Sequence, residues 1–111
     1  MADNNGARVT HGSVGTTAET SYLTEKATKV TVQNKHATQS LGVRVFTSNS
    51  SAAAAAALAD ATDAVEGADE VRYIKPGGEP EVVFESRRPA YVALSVVGSG
   101  AATTYEVVGT A

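Results

Sequence analysis

Small aliphatic residues alternate with polar ones along much of the chain, and the period of two is that of a half-buried β-strand. In Thr28–Asn34, Val30 and Val32 share one face while Thr31 and Gln33 share the other. Leu41–Thr47 repeats the arrangement, with Leu41, Val43 and Val45 inward and Gly42, Arg44 and Phe46 outward. Phe46 is thereby left on the wet side, either as a rim residue under a loop or as part of a contact patch. Ser21–Glu25 is a weaker strand, and Ala102–Val108 is the last, carrying Tyr105 and Val107 on one face.

The densest β pattern lies between Val71 and Val97, where three runs are separated by turn residues. Pro76 to Pro80 forms the first break. Proline fixes φ near −65°, and Gly77 or Gly78 can take positive φ without a Cβ clash. Arg87-Arg88-Pro89 forms the second, so the pattern predicts a three-stranded meander. The expected inward set is Val30, Val32, Leu41, Val43, Val45, Tyr73, Val82, Phe84, Val92, Leu94, Val96, Tyr105 and Val107.

One segment breaks the β pattern. Ala52–Ala57 and the residues to Gly67 are rich in alanine, the best helix former, with Ser50 or Ser51 as N-cap and Gly67 as stop. Only Leu58 and Val65 give such a helix a large apolar face, so a loop excursion competes with it. The first twenty residues carry isolated Val9 and Val14 among Asn, Gly, Thr and Ser, which suggests a flexible arm ordered at most against a neighbouring subunit. Its deletion is expected to leave melting of the domain unchanged.

These elements predict an all-β protein: an antiparallel β-sandwich of Greek-key or jelly-roll-like topology with six to seven strands. One Ala-rich helical or loop insertion interrupts it. The arm spans residues 1–20 and the sandwich domain residues 21–111.

Composition narrows the class. The chain has 111 residues, enough for one self-standing domain, and no cysteine, so neither disulfides nor thiolate metal sites contribute. Neither a signal-like apolar segment nor a bilayer-length apolar run is present, and a soluble protein is expected. Net charge is −3 and the cations are scattered apart from Arg87-Arg88, which argues against nucleic acid as a partner.

Candidate chemistry is sparse. His11 and His36 have no second ligand at metal spacing and read as surface residues. Asp60, Asp63 and Glu66, spaced by three, would share a helical face, with Asp69 and Glu70 just beyond. Without an Asp-x-Asp-x-Asp-Gly loop they read as a solvated face and not a calcium site. Gly77-Gly78 lacks the surroundings of a phosphate loop, and no nucleophile elbow or ordered triad can be placed. The expectation is a non-enzyme without cofactor, catalytic residue or metal. Arg87 and Arg88 beside Tyr91 can instead anchor carboxylates of a neighbour. The candidate interface is Val9, Val14, Phe46, Arg87, Arg88 and Tyr91.

The order of runs carries a resemblance. Val30–Asn34, Leu41–Val45, the Ala/Asp-rich insertion, Tyr73–Gly78, Val82–Phe84, Ala90–Gly100 and Thr104–Val108 follow one another as in small β-sandwich virion proteins of tailed bacteriophages. In these a V-x-N strand, a V-R strand, a Pro-Gly turn and a Tyr-x-x-x-x-V-x-x-x-G strand recur. The resemblance covers most of the chain from Val30 and is shared in part with fibronectin-like and immunoglobulin-like modules. It implies a capsid decoration or cement protein, assembled in the host cytoplasm and located in the virion. Its partners would be the major capsid protein or other virion subunits, with a homo-oligomer such as a trimer, and neither nucleic acid nor membrane. The alternatives are a β-sandwich module binding a glycan or peptide and a minor tail or head–tail component.

Overall fold

The computed structural model describes residues 2–65 and 67–111, with side chains from Gly6 onward. Eight strands and one helix follow in the order β1 (Ala2–Gly6), β2 (Val9–Val14), β3 (Glu19–Leu23), β4 (Ala27–Asn34), β5 (Leu41–Ser48), α1 (Ala52–Ala61), β6 (Arg72–Ile74), β7 (Glu81–Gly98) and β8 (Thr103–Thr110). They form two layers. One sheet runs β2-β8-β4-β7 and the other β1-β3-β7-β5-β6, so β7 belongs to both. All pairs are antiparallel except β1 with β3. This is the all-β sandwich that the alternation predicts.

Strand β7 is where the expected meander fails. Glu81–Val97 is one continuous strand of 18 residues with Gly98, and not two strands joined by a turn at Arg87-Arg88-Pro89. Its first half pairs β4, and its second half lies between β3 and β5. The transfer happens in a bulge. Ala27 of β4 faces Ala90 and Lys29 faces Glu85, so Ser86–Pro89 stands opposite the single residue Thr28. A bulge bends and twists a strand, and it is one of few places in a sheet where proline is tolerated, since no ladder donor is required there. A strand that changes sheets at a bulge makes a corner of a sandwich.

The core lies between the sheets. It consists of Val14, Leu23, Ala27, Val30, Val32, Leu41, Val43, Ile74, Val92, Leu94, Val96, Tyr105 and Val107, with Val45, Val83 and Phe84 packed at its margin. Most of the expected inward set is here. Tyr73 and Val82 are not; they stand 43% and 38% exposed, respectively. In β6 the inward position belongs to Ile74, which pairs Leu41, and a one-residue shift sends Tyr73 to the other face. Near Val82 a register shift in the β4–β7 ladder breaks strict alternation.

The segment read as an arm is taken into the fold. Val9–Val14 runs antiparallel to β8 over six residue pairs, from Val9 with Val108 to Val14 with Thr103. Val14 and Thr10 are buried. The sequence hides this strand because its inward positions are Thr10, Gly12 and Val14, of which only the last is a large aliphatic. Gly98 also lies close beneath it, with room for no side chain: a Cβ there would stand 3.0 Å from the Val14 carbonyl oxygen and 2.5 Å from Thr103 Oγ1.

Helix α1 begins at the expected cap, Ser51, whose hydroxyl accepts from Ala54 N at 3.0 Å. It ends at Ala61, six residues before Gly67. The face it buries is the reverse of what side-chain size suggests. Ala55, Ala56 and Ala59 are inside, while Leu58 and Val65 are about half exposed. Small residues let the helix backbone approach the sheet closely, and Ala55 and Ala59 pack on Ala93 beside Tyr22, Phe46 and Tyr91. Phe46 is therefore roofed by α1. Asp60 at the helix end accepts a 2.5 Å hydrogen bond from Thr20 Oγ1, tying the helix to β3.

One core position is imperfect. Ser21, on β3 opposite Leu94, is fully buried, and among the described residues its hydroxyl has no hydrogen-bond partner. An unmet buried hydroxyl costs about 1–3 kcal/mol. Ser21→Ala is expected to stabilise the protein by about 1 kcal/mol, read as a higher urea midpoint at unchanged slope. A lower midpoint would mean the hydroxyl is satisfied in solution.

Candidate interaction surface

The six residues expected at an interface are distributed differently by the fold. Val9 is half exposed on β2, which among the described residues is an outer strand paired with β8. Arg87 and Arg88 are exposed in the bulge of β7, where the Arg88 amide donates to Ser86 Oγ at 3.3 Å and so shapes the local turn. Three others are withdrawn. Val14 is core, 1% exposed, because it sits on the inner face of β2. Phe46 lies beneath α1, with the Arg44 guanidinium 5.6 Å from its ring centroid. Tyr91 is half-buried against the same helix, yet one side of its ring meets Lys26, whose Nζ lies 5.5 Å from the centroid.

Register adds cations that scattered sequence positions do not reveal. Ala27 faces Ala90, so Lys26 and Lys29 flank the bulge that carries Arg87 and Arg88. Among the described residues none of these four makes an ion pair; the pairs present are Arg8–Glu25 at 3.8 Å, Lys35–Glu106 at 3.9 Å and Arg44–Glu70 at 3.5 Å. The signal that could have found the cluster is the outward phase of Lys29 in β4, combined with the correct partner strand.

The acids lie elsewhere. Since α1 stops at Ala61, Asp63 is off the helix, and Glu66 lies outside the described residues. Asp63 and Ala64, just beyond α1, are pinned on the outer face of the β3-β7-β5 layer: Ala64 N donates to Ser95 Oγ at 2.7 Å, and Arg44 Nη1 donates to the Asp63 carbonyl at 3.2 Å. Asp69 and Glu70 are exposed. Among the described residues no three His, Cys, Asp or Glu side chains converge on a metal-sized point.

The best-engaged polar groups hold the fold together. Asn34 is fully buried; its amide nitrogen donates to the carbonyls of Gln39 at 2.7 Å and Ile74 at 3.0 Å, and its oxygen accepts from His36 N at 2.9 Å. His36 Nδ1 accepts from the amides of Thr38 and Gln39, so the neutral ring carries its proton on Nε2. This histidine organises the β4–β5 turn. His11 is exposed on β2. Gly77 takes φ +62°, the positive value expected of the Pro-Gly turn, and its amide donates to the His36 carbonyl at 2.8 Å.

The surface depressions are open grooves. One runs along Tyr73, Lys75–Pro80 and Glu81; another lies along β2 and β8 at His11, Ser13, Lys35 and Glu106. Tyr73 is the exposed aromatic, not Phe46, and its hydroxyl accepts from the Gly67 amide. No known protein family, curated protein or solved structure matches the chain. Among the described residues, no helix is long and apolar enough to cross a membrane.

Proposed function

We propose that the protein is a non-enzymatic virion structural component, a decoration or cement subunit on the head of a tailed bacteriophage. The observation that carries this reading is the division of labour among its polar groups. Asn34, His36, Ser95 and Thr20 are engaged in internal hydrogen bonds that fix loops and helix, while exposed side chains stand on an outer strand, at Val9 and His11, and on a cationic corner, at Arg87 and Arg88. Such a body works by being gripped and by gripping. The order of its sequence runs, which resembles that of small virion β-sandwiches, supports the same reading. Repetition on a symmetric shell would multiply contacts that are individually modest.

The test is copy number. Virions induced from the strain that encodes the protein, banded on a density gradient and analysed by quantitative mass spectrometry, are expected to contain it in a fixed ratio to the major capsid protein. Recovery only from the unassembled fraction would overturn the proposal.

The exposed Tyr73 beside Pro76 and Pro80 favours a second reading, a module that binds a glycan or extended peptide along this groove. Binding on a glycan or peptide array that Tyr73→Ala abolishes, with no protein in virions, would select it.

A further inference from the structure

We infer that the corner of the sandwich at the β7 bulge docks on the acidic surface at Asp63 and Asp69 of a second copy of this chain, giving head-to-tail assembly. The corner gathers Lys26, Lys29, Arg87 and Arg88, with Lys26 resting on Tyr91. Of the acids nearby, Glu25 is engaged by Arg8, and Glu85 stands opposite Lys29 in the ladder. The two arginines are exposed on a short bulge whose turn is closed by Ser86, so the fork-shaped groups project from a defined backbone. Arginine in such a place suits bidentate pairing with carboxylates.

The complementary surface is on the same molecule but out of reach. Asp63 and Asp69 are exposed beyond α1 and make no ion pair among the described residues; Glu70 is held by Arg44. The acidic segment is anchored at Ser95, and from Ala90, at the end of the bulge, to Ser95 the strand advances about 17 Å at about 3.3 Å per residue. This is well beyond the Debye length of about 8 Å at physiological salt, so the two patches cannot neutralise each other within one chain. They can do so between chains. Because the patches differ, the contact is heterologous and propagates into a ring or an open filament. Half-exposed Val65, in the same segment, and the aliphatic stems of Lys26 and Lys29 would supply apolar contact.

The inference stands apart from the virion reading. A protein that self-assembles but is never found in virions would keep the one and lose the other.

Sedimentation velocity tests it. The wild-type protein is expected to show salt-sensitive association, weakened about tenfold or more between 50 and 500 mM NaCl. R87E/R88E and D63K/D69K, all at exposed positions, should each be monomeric with unchanged circular dichroism. Mixed together, they should form a 1:1 complex that grows no further: R87E/R88E retains a working acidic surface and D63K/D69K a working basic corner. R87K/R88K should associate more weakly than wild type but still associate. A wild-type monomer at low salt would overturn the inference. So would association that survives R87E/R88E, or a mixture of the two variants that stays monomeric.

Discussion

Removal of residues 1–15 is expected to unfold the protein or bring it close to unfolding. The deletion strips β2 from β8, exposing the six-residue edge from Thr103 to Val108 and emptying the site of Val14, which is 1% exposed. Burying one Val side chain is worth about 1.5–2 kcal/mol. Loss of the ladder and of buried Thr10 raises the total to about 4 kcal/mol or more, against a whole stability of about 5–15 kcal/mol. A control truncation of residues 1–7 removes β1 and leaves β2 whole, so it should cost less than half as much. Differential scanning calorimetry of the three proteins decides the matter. A truncated domain lacking residues 1–15 that melted like the full chain would return β2 to the status of an arm.

That β2 escapes a sequence reading, while β4 and β5 do not, has a physical reason. Val30, Val32, Leu41 and Val43 are large, and their alternation is visible at once because transfer of aliphatic area dominates their burial. The inner face of β2 is built from Thr10, Gly12 and Val14, residues whose place is set by the neighbouring backbone. Strand β7 misleads in the opposite way. Pro89 after two arginines has the composition of a turn, yet opposite Thr28 it occupies a bulge, and local composition alone does not separate these outcomes. For α1 the cap Ser51 was legible and the buried face was not. Hydrophobicity favours Leu58 inward, but a close helix–sheet approach over Ala93 needs alanine at the contact.

The candidate surface was legible only in part, and for a related reason. Arg87 and Arg88 stand out as the only adjacent cations in the chain. Lys26 and Lys29 join them through the register of β4 with β7, a fact of tertiary pairing. Val14 and Phe46 were misplaced because each followed from a wrong neighbour: open solvent in place of β8 for Val14, and a wet face in place of α1 for Phe46. Errors in the site thus descend from errors in topology, not from misjudged side-chain chemistry.

Asn34→Ala is expected to be the most damaging single substitution away from the aliphatic core. The side chain is 0% exposed and makes three hydrogen bonds that join the end of β4 to the β4–β5 turn and to the last residue of β6. Truncation removes a hydrogen-bond partner from two carbonyls and one amide, at about 1 kcal/mol or more each, so a loss of about 3–4 kcal/mol is expected by urea denaturation. The consequence extends beyond Asn34, because the same turn holds the His36 carbonyl that receives the Gly77 amide. Hydrogen exchange should therefore accelerate at both the 35–40 and the 75–80 segments. Asn34→Asp sharpens the test. A carboxylate there faces the two carbonyl oxygens that the amide now bonds, so it should be worse than alanine at neutral pH. Burial favours its protonated form, which can donate once, so the variant should regain stability as pH falls through the range where that carboxyl takes up its proton. If both variants stay within 1 kcal/mol of wild type, the buried amide does not hold these two loops together.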